Sequence, residues 1–125
     1  MTISEILSAN LIHRLDHPSL GEGEILALER KLKFKFPEEF VEFLILGGFN
    51  DLRFRQELLQ PNRIVDSYRD SNSRIVPFAS DGCGSLFGWL PGQRPSDTVY
   101  RWDHETDEVT RFAGSFLDCL RLWRF

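Results

Sequence analysis

Cysteine is scarce in this chain. Of 125 residues only Cys83 and Cys119 carry thiols, too few for a disulfide framework or a zinc site, and two free thiols are the expected state. Long apolar runs are also missing. No stretch of about 18 apolar residues is present that would span a bilayer. The opening MTISEILSANLIHRL has no basic leader and interrupts its apolar residues with Glu5, Ser8 and Asn10, so no secretory segment is expected and a cytoplasmic location follows. Positive charge is not in excess: the formal net charge is −4. Residues 1–62 hold seven Lys/Arg against ten Asp/Glu, and residues 63–125 eight against nine. This balance argues against a nucleic-acid binder, which usually shows a basic face, and suits an acidic surface that meets a basic protein. Repeats, linkers and low-complexity segments are absent as well. What is present is core material: 42% hydrophobic residues, including eleven Phe and three Trp. A chain of this length buries about two-thirds of its unfolded surface, so one domain over residues 1–125 is expected.

Apolar periodicity locates the elements. Thr2 and Glu5 have capping-box spacing, and Ile3, Ile6, Leu7, Leu11, Ile12 and Leu15 recur as on a helix, predicting one over 3–15 that ends before His17-Pro18. A second helix is expected over 24–32, with Ile25, Leu28 and Leu32 on one face. Phe34 and Phe36 bracket Lys35 in an extended step. Pro37 then opens a third helix where no amide is needed, Glu38 and Glu39 favour its positive end, and Gly47-Gly48 closes it. Its buried stripe is Phe40, Val41, Phe43 and Leu44. Residues 52–59 begin with an alternation (Leu52, Phe54, Gln56) that suits an exposed strand, and Pro61 opens a short helix through Tyr68 with Ile64, Val65 and Tyr68 inward.

Residues 74–79 and 85–90 are strand-forming and flank SDGCG, whose glycines allow positive φ. Pro77 places the first of these at a sheet edge or beside a bulge. TVYRW and EVTRF flank DHETD in the same way, with Tyr100 and Trp102 on one face and Val99 and Arg101 on the other. Ser115 caps a last helix with Phe116, Leu120 and Trp123 as its stripe and Leu117 beside it. Helices come first, then strands, then a helix, without alternating βα units. The expected class is α+β: an antiparallel sheet with flanking helices.

No catalytic constellation emerges. A thiol-protease signature C-G-[SA]-C-[WY] fails because Leu86 stands where the nucleophile belongs, and no histidine is placed by sequence to activate Cys83. Gly82, Gly84 and Gly88 do not have dinucleotide-fingerprint spacing and precede a strand. Asp81 fits an Asx-turn within that loop. The run Asp103, His104, Glu105, Thr106, Asp107, Glu108 reads as a solvated hairpin tip, as oxygen ligands for a divalent metal, or as an acidic contact surface; calcium loops use a longer spacing with glycine. His13 and His17 are four apart but straddle the end of a helix, and no further metal ligand can be placed. Trp89 and Arg94, near the PGQRPSD loop, are expected to be exposed and would suit an interface. No cofactor is implied.

Three segments in order resemble the SUKH superfamily, the Smi/Knr-type domain. They are the helix around Leu28-Glu29 leading into Phe36-Pro37-Glu38-Glu39-Phe40, Phe43-Leu44 and Gly47-Gly48; the loop Pro77-Phe78-Ala79-Ser80-Asp81-Gly82-Cys83-Gly84; and the hairpin Val99-Tyr100-Arg101-Trp102-Asp103-His104-Glu105, followed by Ser115-Phe116 and Cys119-Leu120. The likeness spans about residues 21–123. The chain departs from the pattern at Leu46, Ser85 and Gly88-Trp89, positions where Asn or Asp is common in the family. The resemblance implies a non-enzymatic binding module: an immunity protein that neutralises a cognate polymorphic toxin, often a nuclease, or alternatively a regulatory scaffold for an endogenous protein, as in cell-wall synthesis. A third reading is a small hydrolase using Cys83 or the Asp103 to Glu108 cluster. The residues proposed to meet a protein partner are Asp81, Trp89, Arg94, Asp103, Glu105, Asp107 and Glu108, with no direct nucleic-acid or membrane contact.

Overall fold

Aromatic side chains at helical and strand spacing determine how this chain packs. The structure, a computed structural model, describes residues 3–8, 20–50, 54–92 and 97–123. In chain order the elements are α1 (Ile3–Ser8), α2 (Glu22–Leu32), α3 (Glu38–Ile45), a 3-10 turn (Gly48–Asn50), β1 (Glu57–Leu58), α4 (Pro61–Asp70), β2 (Val76–Ser80), β3 (Leu86–Trp89), β4 (Val99–Trp102), β5 (Val109–Ala113) and α5 (Phe116–Trp123). The strands form one antiparallel sheet in the order β1-β2-β3-β4-β5, so the expected α+β class is the observed one.

Each helix begins and ends for local reasons. In α2 the Glu24 carboxylate accepts from the Gly21 amide (3.4 Å), and Lys33, with φ 51°, terminates it. The helix starts two residues earlier than its apolar spacing predicts, because Glu22 and Gly23 add a first turn without a buried side chain. Pro37 precedes α3, whose first turn carries Glu38 and Glu39. The paired glycines after it do different work. Gly47 takes the left-handed conformation (φ 72°), whereas Gly48 lies so close to Phe43 that a Cβ there would fall on the ring. Ser115 caps α5 by accepting the Asp118 amide at 3.1 Å. Of the helix expected over 3–15, α1 covers the first part, with Ile3 and Ile6 buried; Thr2, Leu11, Ile12, His13, Leu15 and His17 lie outside the described residues.

One face of the sheet carries the main core. Phe40 of α3, Phe78 of β2, Trp89 of β3 and Phe116 of α5 meet with ring centroids 4.8–6.3 Å apart, mostly tilted or edge-to-face. Phe36, Phe43 and Trp123 extend this cluster. On the other face a smaller group forms from Ile75, Leu86 and Trp102, with Tyr100 and Val109 against it. Tyr100 and Trp102 thus share a face as expected, and Val99 lies in the main core.

Of the two alternatives expected for Pro77 the structure takes the bulge, whereas the strand expected over 52–59 changes. Pro77 lies in an interior strand, so the bulge is what accommodates it: the register shifts between Pro77 and Ala79, and Pro77 sits opposite Gly88. There the backbones approach so closely that a Cβ on Gly88 would meet the Val76 carbonyl. Residues 54–59 are not an exposed strand. Phe54, Leu58 and Leu59 are buried, the pairing to β2 is two residues long, and the Arg55 amide donates to the Trp123 carbonyl (2.7 Å), tying this segment under α5.

The aromatic cluster sets the expected stability response. Phe116→Ala empties a fully buried site (0% exposed) and should cost about 4 kcal/mol. Leu122→Ala, on the same helix but 57% exposed, should change stability by no more than about 0.5 kcal/mol. Urea unfolding of the two variants measures both, and comparable losses would contradict the packing described.

Candidate functional site

Strand register brings two of the sequence's candidate loops together. Leu86 of β3 pairs with Trp102 of β4, so the residues before β3 and those after β4 lie side by side. These are the glycine loop (residues 81–85) and the acidic hairpin tip (residues 103–108). Trp89 at the end of β3 and Val99 at the start of β4 lie at the opposite end of the meander.

The glycine loop is closed by side chains. Asp81 Oδ1 accepts from the Cys83 amide (2.7 Å) and the Ser85 amide (3.1 Å), and Ser80 Oγ accepts from the Gly82 amide (3.0 Å). Asp81 therefore makes the expected Asx-turn. Gly84 combines a positive φ of 108° with a close approach: a Cβ there would lie 3.1 Å from the His104 ring. Ser85 joins the two loops. Its hydroxyl accepts the His104 amide (3.4 Å) and lies 3.1 Å from His104 Nδ1. Ser85 is only 2% exposed, so the pair pins two turns together and its hydroxyl is out of reach of a substrate.

The hairpin tip has its own internal scaffold. Asp103 Oδ1 accepts the Glu105 amide (2.9 Å), and the Asp107 amide donates to the Asp103 carbonyl (2.8 Å). Asp107, at φ 60°, accepts the Trp102 indole N–H on Oδ1 (2.7 Å) and Arg74 Nη2 on Oδ2 (2.8 Å). The indole bond, helped by Arg74, holds the Asp107 carboxyl below the usual range, and the Glu105 amide does the same for Asp103. Arg101 spans the two loops, with Nη2 3.5 Å from Asp81 Oδ2 and Nη1 3.5 Å from Asp103 Oδ2.

The seven proposed contact residues therefore separate. Asp81, Asp103 and Asp107 are engaged within the fold. Glu105 and Glu108 are exposed, and among the described residues no hydrogen bond or ion pair engages their carboxylates. Trp89 is a correction: it is 1% exposed, packed against Phe34, Phe36, Phe40 and Phe78, because β3 turns it toward the helices rather than outward. Its Nε1 has no hydrogen-bond partner among the described residues. Arg94 lies outside the described residues.

A cleft of about 480 Å³ borders both loops. Its apolar lining includes Leu86 and Trp102, α4 contributes Arg63 and Asp70, and Glu57 and His104 complete the rim. Sequence reasoning missed Arg63, Asp70 and Arg101. The spacing of α4 marks its polar face without telling what that face borders, and the reach of Arg101 depends on register. Cys83 is exposed; Cys119 is buried, and burial pushes its thiol up to about 12, leaving it protonated and inert. Among the described residues no group of three His, Cys, Asp or Glu is arranged to hold a metal, and no helix is long and apolar enough to cross a membrane.

A folded-state pKa below the ordinary value means that the Asp107 contacts stabilise the tip above the normal aspartate range, near pH 3.9, and fade as pH falls through the lowered value. The Trp102 indole N–H resonance should therefore move and broaden only below about pH 3.9. In Asp107→Asn, which keeps an acceptor oxygen but cannot titrate, that acid response should vanish. An unaltered response would show that another group controls the tip.

A family model described as the SMI1 / KNR4 family (SUKH-1) matches residues 20–122, which takes in both loops, the cleft and the central rings Phe40, Phe78, Trp89 and Phe116. A search of curated proteins returned no match. With that match covering most of its length, and with the α+β arrangement seen here, the chain belongs to the SMI1/KNR4 family (SUKH-1).

Proposed function

We propose that this chain is an immunity protein, a non-enzymatic module that binds and neutralises a cognate polymorphic toxin in the cytoplasm. The family, which is known for immunity proteins against such toxins, supplies the class. The observation that carries the reading to a surface is the meeting of the glycine loop and the acidic tip beside one cleft, with Glu105 and Glu108 exposed and uncommitted. Asp81, Asp103, Asp107 and Arg101 hold that surface in shape, so a partner meets a preorganised face and little ordering entropy opposes binding. The bound face fits a toxin with basic residues around its active centre, such as a nuclease, and a standard interface of about 1,600 Å² in total. Opposed charges would speed association and make affinity fall with added salt.

Co-expression with the product of the neighbouring gene tests the reading, scored as growth rescue and co-purification. A stable complex and rescue are expected. Glu105→Lys with Glu108→Lys should weaken that complex about tenfold or more, chiefly through slower association. A toxic neighbour that the chain neither binds nor rescues contradicts the proposal, and a harmless neighbour favours the scaffold role instead.

A further inference from the structure

A second surface lies away from the paired turns, on the outer side of α2 and α3. Ile25, Phe36 and Val41 line a groove of about 380 Å³, and Leu26 stands at its wall with 52% of its surface exposed. Leu26 points away from the stripe by which α2 is buried, so the fold itself gives it no burial. The Glu29 carboxylate accepts the Phe36 amide (2.7 Å), which holds Phe36 in place between the two helices.

Lys35, Phe36 and Glu38 also line an adjoining hollow of about 350 Å³ that continues over Pro37 to Glu39 and Asp97. The two spaces share Lys35, Phe36 and Glu38 in their walls and so lie end to end as a trough, apolar at the Leu26 end and acidic at the Asp97 end. Its carboxylates are Glu22, Glu29, Glu38, Glu39 and Asp97, against Lys35 as the cation lining both parts. Burial, then the neighbouring charges of Asp97 and Asp118, raise the carboxyl of Glu39, with Arg121 only partly offsetting them. Carboxylates crowded in this way gain from an incoming cation. On the other side of Leu26, Arg30 and Lys33 line a shallow groove that shares Leu26, Glu29 and Lys35 with the first, so the acidic excess is confined to the Glu38 to Asp97 end.

We propose that this trough docks a basic, amphipathic segment of a partner protein, with an apolar side chain seated beside Leu26 and Lys or Arg side chains against Glu38, Glu39 and Asp97. Charge selects this occupant. A second copy of the chain would bring the same acidic rim against itself, and an anionic membrane or a nucleic acid would be repelled. The surface is separate from the paired turns and does not depend on the immunity reading.

The test is a titration of the isotopically labelled full chain with a synthetic helical peptide bearing leucines on one face and lysines on the other. The control peptide has every leucine replaced by serine. Saturable amide shifts are expected in residues 22–41 with the first peptide and not the second. Affinity should fall at least tenfold in Leu26→Asp and in Glu38→Lys with Glu39→Lys, and stay unchanged in Glu105→Lys with Glu108→Lys. Leu26 is exposed, so its variant should keep the wild-type urea midpoint, which separates lost docking from lost folding. Equal binding of the control peptide, shifts centred on residues 103–108, or no shifts over 22–41 would each overturn the proposal. So would a dimer in sedimentation that Leu26→Asp dissociates.

Discussion

The contact among Phe40, Phe78, Trp89 and Phe116 is the constraint on which the remaining structure depends. It joins a helix from the first half of the chain, two neighbouring strands and the last helix through rings whose centroids lie 4.8–6.3 Å apart. Burial supplies most of the stabilisation, and the mostly tilted and edge-to-face geometry adds a further amount for each pair. Because Trp89 and Phe78 are committed to this cluster, β2 and β3 are held in one register, with Pro77 and Gly88 face to face across the bulge. That register leads directly to the position of the glycine loop.

The loop end of the sheet is built differently, from charge and backbone hydrogen bonds. Arg101 reaches both Asp81 and Asp103, the Ser85 hydroxyl meets His104, and Asp107 ties the Trp102 indole to Arg74. These are small, partly exposed interactions, and each alone contributes modestly. Together they bridge the two turns at several points, which fixes their relative position more firmly than any single ion pair would. On the proposed reading, the residues that shape this face are distinct from Glu105 and Glu108, the two exposed glutamates assigned to a partner.

Much of this architecture was legible from residue patterns. Ile25, Leu28 and Leu32 on α2, Phe40 and Phe43 on α3, and Phe116, Leu120 and Trp123 on α5 follow helical spacing, and all are buried. Asp81 followed by two glycines announced its turn, and Ser115 its cap. Misreadings arose where tertiary pairing outweighs local pattern. Trp89 sits near a polar loop but is carried inward by its strand, and Phe54 is covered because the Arg55 amide finds the end of α5. Of the acidic residues, spacing identified the cluster but not the division of labour within it. Asp103 and Asp107 differ from Glu105 and Glu108 through their partners: Arg101 and the Glu105 amide for Asp103, the Trp102 indole for Asp107, and Arg74, which is distant in sequence and is brought to Asp107 by the fold.

The central claim is that the glycine loop and the acidic tip together form the face that binds a partner. Hydrogen–deuterium exchange of the chain, alone and in complex with the co-expressed product of its neighbouring gene, tests it most directly. Slowed exchange in both residues 81–85 and residues 103–108 on complex formation is the predicted result. A stable complex that leaves exchange in both turns unchanged would contradict it.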